Sequence, residues 1–273
     1  MTEFGRRAKR SLGQNFLVDA AVIDRIVSAA GIGEGDTVLE IGPGRGALTE
    51  GLRKRAHRLV LVEKDDALAA AHERSFSEDP LATVVHRDML ELLPSDLPFE
   101  GPYRVVANLP FNVGARITMH LLEQWTGSVS AATLMFQREV ADRLVALPAT
   151  SSYGALSVLV QSFAEVWSLF GVPPGCFRPA PKVQSRVVRI RPRATPLWDG
   201  LDYEWFRRVV HGGFAARRKT LLNSMQIDQG LSASTDELRA ALAAAEIDPS
   251  IRGDSVSVEA WVRLAAALSP QVR

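Results

Sequence analysis

Between residues 37 and 144 the chain switches repeatedly between two hydrophobic periods, and this alternation constrains its fold more than any other feature. Short apolar runs read as strands: "TVLEI" (37–41), "RLVLVE" (58–63), "ATVVH" (82–86), "YRVVA" (103–107) and "SAATLMF" (130–136). Helical patterns fall between and after them in "ALTEGLRKRA", "DDALAAAHERS", "GARITMHLLEQW" and "QREVADRLVA". Strand and helix alternating on this scale predicts a mainly parallel sheet covered on both faces. Ahead of it, "DAAVIDRIVSAA" (19–30) predicts a helix with Asp19 as N-cap and Gly31 as the stop. Two later runs, "AEVWSLF" (164–170) and "SRVVRI" (185–190), have no helix of normal length between them and are expected to pair antiparallel at the end of the sheet. The Pro- and charge-rich "RPRATPLWDG" (191–200) reads as a linker, and the pattern after it is purely helical. The expectation is an α/β chain with a sheet domain over residues 1–190 and a small helical domain over 196–273.

Composition removes several classes of function. At 273 residues and 47% hydrophobic content there is enough apolar surface for a real core, and a net charge of +1 favours no partner by itself. The charge is unevenly spread: "RRAKR" (6–10) is nearly all basic, and from Arg178 to Lys219 eleven Lys and Arg face three acids. Such concentration predicts a basic face. With one cysteine, Cys176, an internal disulfide is impossible, and the five scattered histidines lack ligand spacing, so no metal is expected. No apolar run approaches the roughly 18–20 residues of a membrane span. The basic N-terminus lacks the apolar stretch and cleavage site of a signal peptide, so a cytoplasmic protein, off the membrane, is expected.

Chemistry gathers where strands end. In "LEIGPGRGALTEGL" (39–52) a strand runs into a turn with Gly42, Gly44 and Gly46, which lets backbone approach a ligand closely. The spacing is GxGxG, within the "ExGxGxG" form seen in S-adenosylmethionine enzymes, rather than the GxGxxG of dinucleotide binders; a plain strand–helix connection also uses such glycines. Glu63 ends the second strand, where an acidic side chain can take both hydroxyls of a ribose. Asp88 follows the third strand, able to accept from an adenine amino group while Met89 packs on the ring; it is equally suited to cap "MLELL". Asp65 and Asp66 read as helix caps. "NLPF" (108–111) ends the fourth strand. An adenine N6 amine is a poor nucleophile because its lone pair is delocalised into the ring. Acceptors on its N–H groups, the Asn108 side-chain oxygen and the Leu109 carbonyl, localise that lone pair. Pro110 fixes the carbonyl's direction, and Phe111 stacks on the base, worth roughly 1–3 kcal/mol.

Taken together, these motifs resemble the small-subunit rRNA adenine N6,N6-dimethyltransferase family, and the likeness extends over nearly the whole chain. "SLGQNFL" (11–17), "MFQREVADRL" (135–144), "YGALSVLVQ" (153–161), "FRPAPKVQSRVVRI" (177–190) and "FAARRKTLLNS" (214–224) fit it as well. The resemblance implies a Rossmann-like methyltransferase sheet that uses S-adenosylmethionine, with a small C-terminal helical domain. It also implies that Asn15 and Leu17 close over the cofactor, which Gly42, Glu63, Asp88 and Asn108 contact from strand ends. The implied substrate is a pair of neighbouring adenosines in a hairpin near the 3′ end of small-subunit rRNA, within a 30S particle, and the implied protein is a monomer. The chain departs from the family at Phe111, where Tyr is usual, at Gly114, where Ser, Thr or Ala is common, and at Lys64 and Arg87. Phe keeps the stacking face and loses a hydroxyl, which leaves the balance of mono- to dimethylation open.

The basic residues then acquire a use. Arg6, Arg7, Lys9, Arg10, Arg178, Lys182, Arg217, Arg218 and Lys219 are the expected RNA contacts. The last three read as the start of a helix, where cations oppose the macrodipole. Trp198, Trp205 and Trp261 are expected in the core of the helical domain. Two alternatives stay open: an adenine methyltransferase of large-subunit 23S rRNA that confers macrolide resistance, and a non-catalytic RNA-binding assembly factor on the same fold.

Overall fold

A computed structural model describes residues 15–228 and 230–269. They form two compact units: one runs as far as Ala141 and resumes over Val166–Pro192, and the other takes Asp142–Glu165 and the chain from Arg193 onward. The units therefore interleave along the sequence, with the linker marking one of three crossings.

The first unit is built on strands β2 (Thr37–Ile41), β3 (Arg58–Glu63), β4 (Ala82–His86), β5 (Tyr103–Asn108), β6 (Val129–Gln137), β7 (Ala164–Val172) and β9 (Ser185–Pro192). They make one seven-stranded sheet in the order β4-β3-β2-β5-β6-β9-β7. Neighbours from β4 to β6 are parallel, and β6 meets β9 antiparallel. Central strands are buried on both faces: Val38, Leu39, Leu59, Val60, Leu61 and Val106 have no exposed surface. Each such side chain contributes about 1.5–3 kcal/mol, and this burial explains why the runs lack a polar face. Helix α1 (Ala20–Ala29) begins where Asp19 accepts the Val22 N–H at 3.0 Å and ends ahead of Gly31, whose φ is +63°. Its Ile26 and Val27 share one buried cluster with Leu48, with Leu52 of α2 (Thr49–Arg53), and with the sheet residues Val38, Leu59 and Leu61. Two further strands, β1 (Phe16–Leu17) and β8 (Phe177–Arg178), pair antiparallel outside the main sheet. Nothing in the sequence pattern announced that ladder.

Strand order positions the site. From β2 the chain steps outward to β3 and β4, then returns to β5 on the other side of β2. At such a reversal the loops leaving neighbouring strands part in opposite directions and open a crevice at the carboxyl ends. Helix α3 (Asp66–Ser75) follows β3, capped by Asp65 accepting the Ala67 and Leu68 N–H groups, and α4 (Gly114–Gln124) follows β5.

The second unit is helical: α5 (Arg138–Leu144) enters it, followed by α6 (Ala155–Phe163), α7 (Tyr203–Gly213), α8 (Leu221–Ile227), α9 (Thr235–Ala244) and α10 (Val258–Leu268). Trp261 is fully buried, as expected of a core residue, and stacks on Phe214 at 5.4 Å; Trp198 and Trp205 are half-buried. Arg217, Arg218 and Lys219 do not start a helix. They lie in the turn before it, and Thr220 is the N-cap, its hydroxyl accepting the Asn223 N–H. The hydroxyl accepts a free N–H of the first turn, which the donor-only side chains of Arg and Lys cannot do, so the helix begins at Leu221.

Candidate functional site

At the carboxyl ends of β2, β3 and β5, and just past β4, a cavity of about 250 Å³ opens. Every residue expected to bind cofactor or act on a base borders it: Asn15, Leu17, Gly42, Glu63, Asp88, Met89, Asn108, Leu109, Pro110 and Phe111. Five chain segments that are distant in sequence thus meet in one place.

The floor is the glycine turn. Gly42, Gly44 and Gly46 all have positive φ (64°, 57° and 79°), which a side chain would strain. At Gly44 a Cβ would also crowd the Phe16 ring, lying 3.2 Å from its Cε1. The turn is tied down by Gly42 N–H donating to Val62 O at 2.8 Å and Gly46 N–H donating to Pro43 O at 2.9 Å. Arg45 lies over the Phe16 ring, 4.3 Å from its centroid.

Glu63 is 6% exposed and already employed. Its Oε2 accepts the Gly44 N–H at 3.0 Å and its Oε1 the Asp65 N–H at 2.9 Å. Burial raises its pKa; the N–H bonds from Asp65, Gly44 and Lys64 oppose the rise, and the Asp65 charge adds to it. A carboxylate offers about four lone-pair sites, so capacity remains for a guest. Asp88 combines the two readings of its sequence position. It caps the 3₁₀ turn Met89–Glu91 through Oδ1, which accepts the Leu90 N–H at 3.0 Å, and it also borders the cavity. Its Oδ2 accepts from Lys64 Nζ at 2.6 Å. Burial works to raise its pKa, but the Lys64 bond, the Leu90 N–H and the charges of Lys64 and Arg116 prevail and hold it below the usual range.

Sequence reasoning met Glu40 only as the first residue of "ExGxGxG" and gave it no role, yet it borders the same cavity from β2. It is 2% exposed, and its Oε2 and the nearby Thr49 Oγ1 are both buried without a hydrogen-bond partner. Burial pushes this carboxyl up to about 8, and the Glu63 charge adds to the rise. The signal was present in "TVLEI", because a carboxylate inside an otherwise apolar strand has to be accounted for.

At the mouth, β5 ends in Asn108. Its Nδ2 donates to the backbone carbonyl of Asn15 at 3.2 Å, which decides the orientation of the carboxamide. The nitrogen faces the N-terminal strand, and Oδ1 is turned the other way as an acceptor. That strand is held in turn by β8, with Phe16 opposite Arg178 and Leu17 opposite Phe177. Leu109 is buried and donates its N–H to Met135 O at 3.2 Å; Phe111 is half-buried.

Of the expected RNA contacts, Arg6, Arg7, Lys9 and Arg10 lie outside the described residues. Lys182, Arg217, Arg218 and Lys219 are exposed. Arg178 is exposed too, but its guanidinium donates to the carbonyls of Gly175 and Phe177 at 3.0 and 2.8 Å. Arg217 donates to the Ser151 carbonyl at 3.1 Å. Among the described residues no helix is long and apolar enough to cross a membrane.

Comparison with known proteins agrees with this arrangement. The family model described as ribosomal RNA adenine dimethylase matches residues 5–268. A protein named ribosomal RNA small subunit methyltransferase A from Geobacter metallireducens is 41% identical over 97% of this chain and 96% of its own length. One of the same name from Shouchella clausii is 40% identical over 100% of this chain and 94% of its own. Among solved structures, the 23S rRNA methyltransferase ErmE superposes with a TM-score of 0.69 at 30% identity, covering 94% of this chain and all of that one. A dimethyladenosine transferase from Plasmodium falciparum, 23% identical, shares the fold with a TM-score of 0.74 over 91% of this chain and 95% of its own. With a family model spanning the sheet and the helical unit alike, the chain belongs to the ribosomal RNA adenine dimethylase family.

Proposed function

We propose that this chain, a ribosomal RNA adenine dimethyltransferase that uses S-adenosylmethionine, modifies two adjacent adenosines at N6 in the 3′-terminal hairpin of 16S rRNA within a 30S particle. The small-subunit name carried by relatives at 40% and 41% identity supports this target over the 23S activity of ErmE at 30%. The cytoplasm, where ribosomal particles are found, is its proposed location. A monomer is the proposed working form.

The cavity suits the cofactor. Three carboxyls border it, Glu40, Glu63 and Asp88, and one buried carboxyl oxygen lacks a partner. Buried carboxyl acceptors suit a guest that donates hydroxyl and amino hydrogens, while Arg45, Lys64 and Arg87 on the same lining keep the local charge near balance. S-adenosylmethionine supplies an electrophilic methyl group on a positively charged sulfur. In this reading Glu63 accepts from the ribose with the lone-pair capacity left after the N–H bonds of Gly44, Asp65 and Lys64. Asp88 accepts from the cofactor's adenine amino group, Met89 packs on that ring, and Gly42, Asn15 and Leu17 bound the rest.

The observation that carries the reaction is the carboxamide of Asn108. With Nδ2 committed to the Asn15 carbonyl, Oδ1 is the atom available to accept an N6–H bond from an extruded adenine. Oδ1 and the Leu109 carbonyl together localise the N6 lone pair, Pro110 fixes that backbone, and Phe111 stacks on the base for roughly 1–3 kcal/mol. The N6 nitrogen would form its bond to the methyl carbon as that carbon's bond to sulfur breaks, leaving the cofactor as a neutral thioether, and would then lose a proton to water. Alignment supplies much of the rate, so no strong base is needed. The small pocket reads any extruded adenine, so the choice of hairpin falls to phosphate contacts by Arg178, Lys182, Arg217, Arg218 and Lys219, with Arg6, Arg7, Lys9 and Arg10.

The test is to incubate the enzyme and tritiated S-adenosylmethionine with 30S particles lacking the modification and, separately, with 50S precursors. Label on two adjacent adenosines of the small subunit is expected. Label in the 50S precursors would move the target to 23S rRNA, and label in neither would favour the assembly-factor reading.

A further inference from the structure

His72 belongs to none of the motifs read from the sequence, yet it is 2% exposed on α3, directly behind the glycine turn. Its Nε2 lies 2.9 Å from the carbonyl oxygen of Gly44. A carbonyl can only accept, so Nε2 carries the proton. On its other side Gly44 donates its N–H to Glu63 Oε2 at 3.0 Å. Both backbone polar groups of one turn residue are thus held by side chains, one from α3 and one from β3. The imidazole also fills the space beside Gly46, where a Cβ would lie 3.4 Å from His72 Cε1. Burial lowers the His72 pKa, with the Gly44 bond opposing, so the ring is neutral at pH 7.

The bond has a geometric consequence. In a trans peptide the carbonyl and the next N–H point in opposite directions. Pinning the Gly44 carbonyl onto α3 turns the Arg45 N–H away from α3, and Arg45 borders the cavity. A leucine at position 72 fills a similar volume but leaves a carbonyl without its donor, and the turn then relaxes toward another partner.

We propose that His72 is a positioning residue for cofactor binding: by holding the Gly44 carbonyl, it fixes the glycine turn in the shape that Glu63 grips from the opposite side. This rests on the cavity being the S-adenosylmethionine site. Two variants separate the hydrogen bond from packing. His72→Leu removes the donor, and His72→Gln keeps an N–H at about the reach of Nε2. S-adenosylhomocysteine binding is measured by calorimetry, alongside methyl transfer to 30S particles lacking the modification.

His72→Leu should weaken binding about tenfold, the factor expected for one net hydrogen bond. Its KM for S-adenosylmethionine should rise by a similar factor while kcat changes far less, and His72→Gln should recover to within about threefold. Unchanged affinity in His72→Leu, even with a lower melting temperature, overturns the proposal. So does equal weakening in both variants, which would assign the effect to ring packing. If the leucine variant fails to fold, the glutamine variant decides alone: near-normal affinity supports the donor role, and tenfold loss refutes it. Wild type and Glu63→Ala run in parallel to separate the two ideas. A wild type that binds, an alanine variant that does not, and an unaffected His72→Leu would sink this inference only; a wild type that fails to bind would sink the cofactor site itself.

Discussion

Glu40 offers a stability measurement that reports directly on the cavity. The carboxyl titrates near 4.5 when exposed and at about 8 in the folded chain, so the folded chain holds this proton more tightly. Its contribution to stability is therefore complete below pH 4.5, declines as the pH rises, and levels off above about 8. Glutamine at this position resembles the protonated acid and does not titrate. At about 1.4 kcal/mol per pH unit, Glu40→Gln should gain roughly 2–3 kcal/mol on the wild type between pH 5 and 7, and about 1 kcal/mol more by pH 9. Urea denaturation of both proteins without cofactor, at pH 5, 7 and 9, measures the gap. A constant offset, whatever its size, refutes the reasoning: it would mean that water reaches the carboxyl and that burial is not what keeps it neutral. A gap that narrows with pH would reverse the sign and exclude a raised pKa altogether.

Three other outcomes are expected. Phe111→Leu should lose most methyl transfer and Phe111→Tyr should retain it, both with normal cofactor affinity; equal activity in the leucine and wild-type enzymes would make the ring a packing residue. Replacing Arg217, Arg218 and Lys219 with Ala should weaken binding to 30S particles and flatten its salt dependence without touching cofactor binding, because fewer counterions are released; identical salt slopes would locate the RNA elsewhere. Gly114→Ala should destabilise the chain by about 1–2 kcal/mol, since the overpacking cost exceeds the gain in helix propensity. The new Cβ would lie 3.0 Å from Cδ1 of Phe136. A thermal melt showing a gain would mean that the ring yields freely.

The sheet was legible because burial on both faces leaves unbroken Val and Leu runs, and β2, β3 and β4 span the expected residues. Helix α6 was not recognised as an element for the same reason in reverse. Val158, Leu159 and Val160 are consecutive and all buried, so "SVLVQ" shows no polar stripe to reveal a helical period. In α2 the expected ten-residue pattern shortens to Thr49–Arg53, after a glycine turn that takes up the preceding residues. At the site, residue types at strand ends indicated Glu63, Asp88 and Asn108, because topology brings strand ends together. The hydrogen bonds were not legible. That Glu63 spends both oxygens on backbone, that Lys64 reaches Asp88, and that His72 holds Gly44 are contacts between segments, and no local pattern encodes them.

The bond between Asn108 and Asn15 carries one more lesson. The acceptor is a main-chain carbonyl, so the side chain at position 15 does not make the bond. An alanine scan of the N-terminal strand would leave this contact intact and report nothing. What sets the polarity of the amide is the register of a two-residue ladder, Phe16 against Arg178 and Leu17 against Phe177. Sliding that ladder by one residue alternates which groups face inward, and the Asn15 carbonyl is carried away from the amide. Inserting or deleting a residue just before Phe177 should therefore disable an enzyme whose every functional side chain is still present.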